Sequence, residues 1–434
     1  MTHAALADIL VEHPMSQPIP NSAYESILSV AHRLSSTSDL AEVLAMIIDA
    51  LRDLLSAERA SVFQYDEEAD EFFATKAHGL PSDLRIKGDA GFIGAAGQSR
   101  QVINTHDAYA DPRFNQAVDK STGFRTRCIL TIPLMDHEQR LVGVAQVLNK
   151  RTGPSFDTND ESIAVHLARQ AAVALRRAQL LEAERTKRKL QADLELARSI
   201  QFAALPDDLP EVAGYTIAAT TRPADETGGD TFDVIPLGRD ARRVLFMMAD
   251  ATGHGVGPAL SVTQVVSMIR MAARMGADHD QMSPLINSQL CEDLPPGRFV
   301  TAFIGILDAD RNELRYMSAG QAPMLVYRAS GQVEKINDCS APPLGIDPEV
   351  EFESTPPVRF EPGDGFVLLS DGYFEAMNHQ RKQFGDERVS HLLLENPNAS
   401  ADGWLERLQD AVRTFAEGAP QLDDQTAVVI RRRK

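Results

Sequence analysis

Cysteine is scarce: only 3 of 434 residues, Cys128, Cys291 and Cys339, far apart and without CxxC spacing. That pattern excludes a secreted disulfide scaffold and a cysteine zinc site, and it fits a reducing cytoplasm. Positive charge is short as well. Lys and Arg number 43 against 62 Asp and Glu, a formal net charge of -19. A general nucleic-acid binder needs clustered cations to meet phosphates, and the basic run Arg185 to Lys189 spans only about one helical turn. No run of roughly 18 apolar residues occurs, and residues 1–22 lack a basic segment followed by an apolar core. The expectation is a soluble cytoplasmic chain with no membrane span. HExxH is missing too, so a histidine zinc site is not expected.

What is present is ordinary globular composition, 43 % hydrophobic and 24 % charged. At about 150 residues per domain the length predicts two or three domains. Residues 1–22 carry three prolines and weak periodicity, and are read as a poorly ordered tail. From Tyr24 to Leu55 apolar residues recur at helical spacing, predicting two amphipathic helices broken near Ser35 to Asp39. Between Ala60 and Lys150 the texture turns to strand-like runs, "ASVFQY", "EFFATKA", "QVINTH", "CILTIPL" and "LVGVAQVLN". Helical periodicity resumes at Asp160 and continues almost to Ala204 without Gly or Pro, longer than a usual globular helix. Leu167, Ala174, Leu181, Leu190, Leu194 and Ala197 outline an imperfect seam, which predicts a dimeric coiled coil; a single solvated helix is the plainer alternative. After Pro206 strand candidates return: "VLFMMAD", "VTAFIGILD", "ELRYMSAG", "MLVYRA", "GFVLLSDG" and "QTAVVIRR". Helical stretches fall at Pro258 to Met275, Met282 to Cys291 and Gly403 to Ala416. The chain is therefore divided into a tail (1–22), a first α/β domain (23–178), a helical linker (179–204) and a second domain (205–434).

Acidic residues mark the second domain. Asp250 closes "VLFMMAD", Asp371 follows "GFVLLS", and Asp423 precedes "TAVVI"; a strand end is a rigid place from which to aim a carboxylate. Asp230 and Asp233 sit in "GGDTFD", where Gly228 and Gly229 permit tight turns. An Asp-Gly fragment alone is more often a solvated turn than a ligand. Several acids gathered without matching Lys or Arg, however, need a cation, and oxygen-only ligation suits Mg²⁺ or Mn²⁺. Two such ions about 3.5 to 4 Å apart can activate water for in-line attack on a phosphoryl group.

The motifs "IQFAALP", "PADETGGDTFD", "ADATGHGVGPAL", "FVTAFIGILD", "SAGQAP", "PLGI", "PGDGFVLLSDGYFEAMN" and "DDQTAVVI" run in order from Ile200 to Ile430. In them this region resembles the bacterial branch of the PPM metal-dependent protein phosphatases, the type that includes the sporulation stage II phosphatase. The resemblance implies an αββα sandwich. It also implies two metal ions, with Asp250 bridging both, Asp230 and the backbone carbonyl of Ala251 completing one site, and Asp371 and Asp423 the other. Asp233 and Asp424 become candidates for supporting the ligands, with a solvated neighbour as the plain alternative for Asp424. His254 invites a general-acid role, but its offset from Asp250 differs from that of the eukaryotic-type enzymes. The family's frequent "AGH" is "AGQ" here, with Gln321 for histidine. Gly253, Gly255 and Gly257 serve either a close backbone approach to metal or a plain turn.

Residues 23–178 resemble a GAF domain, a small-molecule-sensing α/β fold, closest to the cyclic-nucleotide-binding subset. The likeness rests on "DAYADPRFN", "VDKSTGFRTRCIL", "LVGVAQVLNK" and the spaced set Asn149, Lys150, Phe156, Asp160 and Glu161, which matches the subset's NKFDE signature. There the signature lies outside the ligand pocket, and a Lys-Asp pair stabilises the fold. By family correspondence Ser61, Phe92, Ile93, Asp119, Thr122, Thr126 and Gln146 would line the pocket. Helix and loop amides, rather than an Arg, would meet a cyclic phosphate. Cys128 reads as core filler.

The reading is an α/β (α+β) multidomain chain: a GAF sensor for a small ligand, cAMP or cGMP, with a generic or ligand-free GAF dimerisation module as the competing reading; a helical linker; and a protein serine/threonine phosphatase using Mn²⁺ or Mg²⁺. A phosphoserine or phosphothreonine protein is the expected substrate, an anti-sigma-factor antagonist of the STAS type by family analogy. A homodimer through GAF and linker helices is expected, without nucleic-acid or membrane partners. The rival is a catalytically inactive, ligand-responsive binding switch. A cyclic-nucleotide phosphodiesterase is disfavoured because its histidine-rich metal motif is missing.

Overall fold

The computed structural model describes residues 21–74 and 84–434. The expected tail, except residues 21 and 22, and the end of "EFFATKA" lie outside them. Compact units divide at Lys189/Leu190, and each is described by itself.

The first unit opens with the two expected helices, α1 (Asn21–Ser36) and α2 (Leu40–Leu54). Asp39 ends the break by accepting a hydrogen bond from Glu42 N (2.8 Å), an N-cap that starts α2. The unit continues as β1 (Ala57–Asp66), β2 (Glu71–Phe73), β3 (Arg85–Lys87), α3 (Gly91–Ser99), β4 (Ile103–Thr105), α4 (Gln116–Thr122), β5 (Ile129–Met135), β6 (Leu141–Lys150) and α5 (Thr158–Phe202). The strands form one sheet in the order β3-β2-β1-β6-β5-β4. Alternation along β1 and β5 gives the sheet two apolar faces. Val62, Leu130 and Ile132 pack on Leu44, Ile47 and Leu51 of α2 and on Leu167, Ala171 and Leu175 of α5. Phe63 and Ile93, on the opposite side, form a smaller cluster with Phe72, and Phe92 packs near Ile129. Cys128 is fully buried in the larger core, as expected of a filler.

The long helix is 45 residues, close to its expected span. Its expected seam divides into two environments: Leu167 and Ala174 are buried in the core of their own unit, whereas Leu190 is 60 % exposed.

The second unit contains β7 (Tyr215–Arg222), β8 (Asp230–Pro236), β9 (Arg243–Ala251), α6 (Val256–Arg274), α7 (His279–Asp293), β10 (Val300–Asp308), β11 (Glu313–Ala319), β12 (Met324–Arg328), β13 (Gln332–Ile336), β14 (Val358–Arg359), β15 (Gly365–Leu369), α8 (Asp371–Phe374), α9 (Gly385–Glu395), α10 (Ala401–Ala416) and β16 (Gln425–Arg432). Two five-stranded sheets result, β14-β11-β10-β9-β8 and β13-β12-β15-β16-β7. Their inner faces meet through Phe232, Phe246, Met248, Phe303, Phe366 and Val428. Outside the first sheet lie α6 and α7, burying Val262, Val266, Ile269 and Met282 against Met247 and Ile304. Outside the second lie α9 and α10, with Trp404 and Leu408 against Val367 and Val429. The order of layers is αββα. Among the described residues only α6 is long and apolar enough, by length and composition, to cross a membrane; its apolar face belongs to the core just named.

Candidate active site

The strand register decides which acids meet. Asp230, the first residue of β8, lies directly opposite Asp250 on β9. On β9, Met248 and Phe246 share the parity of Asp250 and face the gap between the sheets. Asp250 therefore opens into one end of that gap, with Asp230 beside it. The second sheet approaches the same end: β15 runs through Ser370 into α8, whose first residue is Asp371, and Asp423 stands just before β16. Asp371 and Asp423 both push the Asp250 carboxyl upward electrostatically.

Asp230 is buried, Asp250 half-buried, and Asp371 and Asp423 stand at the exposed mouth; like charges gathered at such a partly buried end are costly. Burial first, and then repulsion from Asp371 and Asp423, pushes Asp250 up to about 7. Asp230 is raised well above the ordinary carboxylate range by burial and by Asp250, an effect that the Ser370 and Thr426 hydroxyls only partly offset. Asp371 is raised by burial and by Asp423. Among the described residues Asp230 Oδ2 is buried without a hydrogen-bond partner.

The backbone leaves room beside these oxygens. A Cβ at Gly229 would lie 2.8 Å from the Ala251 carbonyl oxygen, 2.9 Å from that of Gly253 and 3.4 Å from Asp250 Oδ1. The Ala251 side chain is buried among α6 and α7 contacts, so its carbonyl rather than its methyl borders this space. Among the described residues no three His, Cys, Asp or Glu side chains stand in a closed metal-holding group. Asp230 and Asp250 face each other across the strands and Asp423 repels Asp371 nearby, so side-chain rotation would have to draw them around an ion. An orphaned buried oxygen, carboxyl pKa values raised at Asp230, Asp250 and Asp371, an all-oxygen donor set and a cradle that a methyl would fill together fit a hard divalent cation.

Two supporting acids behave differently from one another. Asp424 is buried and accepts hydrogen bonds from Ala224 N (2.7 Å) and Asp230 N (3.2 Å), so it fastens the start of β8 and is not a solvated neighbour. Asp233 does not support the acids directly: three residues along β8 from Asp230, it projects from the opposite face and pairs with Arg270 of α6 at 2.6 Å. Gln321 is buried, donating to Leu369 O (3.0 Å) and accepting from Thr301 Oγ1 (3.2 Å). In place of histidine it ties β10, next to Asp250, to the strand that leads into Asp371. His254 is exposed and hydrogen-bonds Asp225 (2.7 Å). Gly253 and Gly255 have φ of +89° and +92°, a turn that L side chains resist, and Gly257 does not. Gln201 was not singled out from sequence. Its buried carboxamide holds the Gly228 peptide groups, and "IQ" at the end of a helix gave no local signal of that.

In the first unit a cavity of about 410 Å³ is bordered by Ser61, Phe92, Ile93, Asp119, Thr122, Thr126 and Gln146, all seven of the expected lining residues. Ser61 and Gln146 are neighbours on β1 and β6. Asp119 is buried and engaged, accepting from Thr126 N (2.6 Å), Thr126 Oγ1 (2.8 Å) and Tyr109 Oη (3.0 Å). Backbone amides are the expected phosphate partners; Arg59, Arg85, Lys87 and Arg113 also border the cavity and were not among the residues expected from sequence. Arg113 is paired with Asp111 (2.6 Å), Arg85 with Glu71 (3.1 Å), and Arg59 lies 3.9 Å over the Phe124 ring. They are far apart in sequence, which is why no basic motif revealed them.

The spaced set Asn149 to Glu161 lies outside this lining. Lys150, ending β6, pairs with both oxygens of Asp160 in the first turn of α5. Asn149 holds Arg127 N (2.6 Å) and Arg125 O (2.9 Å), and Asn104 bridges Phe156 O (2.9 Å) and Glu161 (2.7 Å). These contacts latch the sheet to the long helix.

Comparison with known proteins agrees with both halves. Residues 240–433 match the family described as stage II sporulation protein E (SpoIIE), and residues 39–175 match the GAF domain family. Asp250, Asp371 and Asp423 fall inside the first match; Asp230 precedes it. A Drosophila melanogaster protein named dual 3',5'-cyclic-AMP and -GMP phosphodiesterase 11 is 36 % identical over 119 residues, 27 % of this chain and 8 % of its own length. Protein IcfG of Synechocystis is 23 % identical over 267 residues, 55 % of this chain and 41 % of its own length. The chain thus spans less than half of either curated relative. The SiaA-PP2C domain of Pseudomonas aeruginosa, 21 % identical, covers 57 % of this chain and 98 % of its own, with a TM-score of 0.49.

Proposed function

From a chain that joins a GAF domain to a SpoIIE-family phosphatase domain, we infer a metal-dependent protein serine/threonine phosphatase governed by a small ligand in its GAF cavity. The observation that carries this is the gathering of Asp230, Asp250, Asp371 and Asp423 at one end of the gap between the sheets, with carboxyl pKa values raised at Asp230, Asp250 and Asp371 and an orphaned oxygen on Asp230. Asp250, Asp230 and the Ala251 carbonyl would hold one ion, and Asp250, Asp371 and Asp423 a second. When bound, a pair of Mg²⁺ or Mn²⁺ ions supplies a water acidic enough to act as nucleophile at neutral pH, and positive charge for the phosphoryl oxygens.

The chain's own residues do the rest. Asp424 fixes the Asp230 amide, Gln321 holds β10 to the Leu369 end of β15, and Gly229 keeps the Ala251 carbonyl accessible. The exposure of Asp371 and Asp423 leaves the mouth open to a phosphoserine or phosphothreonine on a partner protein. A STAS-type anti-sigma-factor antagonist is the substrate we favour. The working division is GAF domain 23–178, linker 179–204 and phosphatase domain 205–434, dimeric through GAF and linker helices, in a reducing cytoplasm.

We favour cAMP or cGMP as the ligand. The cavity combines aromatic walls, the Gln146 and Ser61 polar groups for a base edge, and cationic side chains for a phosphate. The name of the Drosophila relative supports the same chemistry. Cleavage of the nucleotide itself is not part of this reading, since the likeness reaches only 8 % of that protein.

The test is hydrolysis of a phenyl phosphate ester and of a phosphoserine peptide by the full chain with Mn²⁺ or Mg²⁺, alongside Asp250→Ala. Turnover that needs the metal and disappears in the variant is expected. No turnover with any divalent ion would instead make the chain a ligand-responsive binding switch. Equal rates with and without cAMP or cGMP would remove the nucleotide.

A further inference from the structure

Of residues 182–201 in α5, Gln201 alone is buried. Ile200 beside it is 58 % exposed and Phe202 half-buried, and Arg198 donates to Glu226 O (3.3 Å). The buried contact at this end is a carboxamide. Gln201 Nε2 donates to Gly228 O (2.7 Å), and Gln201 Oε1 accepts from Gly228 N (3.1 Å). One side chain thus grips both peptide groups of a residue two positions before Asp230. On its other side Gly228 is pressed against Asp424, whose Oδ2 would lie 2.6 Å from a Cβ placed there. Asp424 also accepts from Asp230 N. The lead-in to β8 is held between the end of the helix and the residue next to Asp423.

We propose that Gln201 is a positioning residue that sets the Gly228–Asp230 segment, and through it the Asp230 carboxylate, according to the register of the long helix. A paired hydrogen bond suits this role. It tolerates only a few tenths of an ångström and a limited angle, whereas one residue of helix advances about 1.5 Å and turns about 100°. Apolar packing would slide; the carboxamide pair either engages or lets go. Arg270 anchors the same end independently, donating to Ala204 O (2.8 Å) while paired with Asp233. Loss of the clamp therefore frees the Asp230 arm without releasing the chain beyond the helix. This inference rests on the phosphatase reading for its metal readout, but not for its structural one.

The experiment uses the full chain with Gln201→Glu and Gln201→Ala. Glu keeps the acceptor for Gly228 N–H and removes the donor; Ala removes both. Mn²⁺ affinity is measured by calorimetry and by the Mn²⁺ dependence of turnover, and amide hydrogen exchange is followed over residues 228–230. Loss of one or two such bonds predicts Mn²⁺ binding weaker by about tenfold. Turnover at saturating Mn²⁺ stays within about twofold of the parent, and exchange at 228–230 accelerates. Unchanged affinity and exchange in both variants would overturn the proposal, as would a fall in saturated turnover with affinity intact. If the parent chain binds no Mn²⁺, the phosphatase reading fails and the clamp is judged by exchange alone. Should neither variant fold, exchange in the parent decides: a Gly228 amide as labile as those of exposed loops refutes the clamp, and a protected one upholds it.

Discussion

At the scale of single residues, the acids of the second unit store a pH dependence. Asp250 is held near 7 and Asp230 and Asp371 are raised, so each binds its proton more tightly in the folded chain than in the unfolded one. Groups raised in this way contribute stability that is fully present below the ordinary carboxylate pKa of about 4 and lost as pH rises through the folded value. Thermal unfolding in chelator should show a melting temperature that falls from mildly acidic pH through about pH 7, and saturating Mg²⁺ or Mn²⁺ should flatten that slope. A chelated chain with a constant melting temperature over this window would contradict the repulsion described above. Asp424 carries a different expectation, since its oxygens serve backbone amides. Asp424→Ala should cost about 1–3 kcal/mol in chemical denaturation, because the amides of Ala224 and Asp230 lose their acceptor. The four aspartates proposed for the site could be picked out in the sequence because strand ends and an ordered set of motifs flag them. The difference between Asp233 and Asp424 was not, because it depends on which face of β8 a side chain takes and on a partner 194 residues away.

Elements place these residues, and their legibility follows their apolar content. Central strands such as β9, β10, β15 and β16 are buried almost throughout, and their hydrophobic runs stand out in sequence. Strands β7 and β8 were not anticipated. Each is the edge of its sheet, and "YTIAATTR" and "DTFDVIP" are too polar or too close to Gly-Gly to read as strands. The turn before β8 makes a sharp demand. Gly229→Ala would bring a methyl within 2.8 Å of the Ala251 carbonyl, and overpacking of this kind costs about 1–3 kcal/mol. Metal binding should weaken as well, read by calorimetry. In the first unit the joint between β6 and α5 depends on Lys150 and Asp160, whose side chains are 14 % and 5 % exposed. Lys150→Met leaves Asp160 buried without its cation and should destabilise the unit by roughly 3 kcal/mol in urea unfolding, toward the low end for a broken buried pair. The cyclic-nucleotide affinity proposed above for the cavity should be unchanged per folded molecule, read by calorimetry.

For the whole molecule, the long helix is the element common to both compact units, whose boundary falls within it. Its first part is core, but Leu190 and Leu196 are each 60 % exposed and have no apolar cover among the described residues of the chain. We expect the full chain to sediment as a dimer, and Leu190→Glu combined with Leu194→Glu to shift it toward monomer without lowering the melting temperature. A monomeric parent at working concentration would remove the coiled-coil reading. Composition, periodicity and ordered motifs were enough to determine the two-domain plan, the long helix, the NKFDE latch and which acids to propose for the site, because these are written in local patterns or motif order. The tertiary structure decided which acids share a face, that cationic side chains border the cavity of the first unit, that Asp424 is structural, and that Gln201 grips Gly228. Each of these is a contact between segments whose separation no helical or strand period spans, so only chain packing could bring it about.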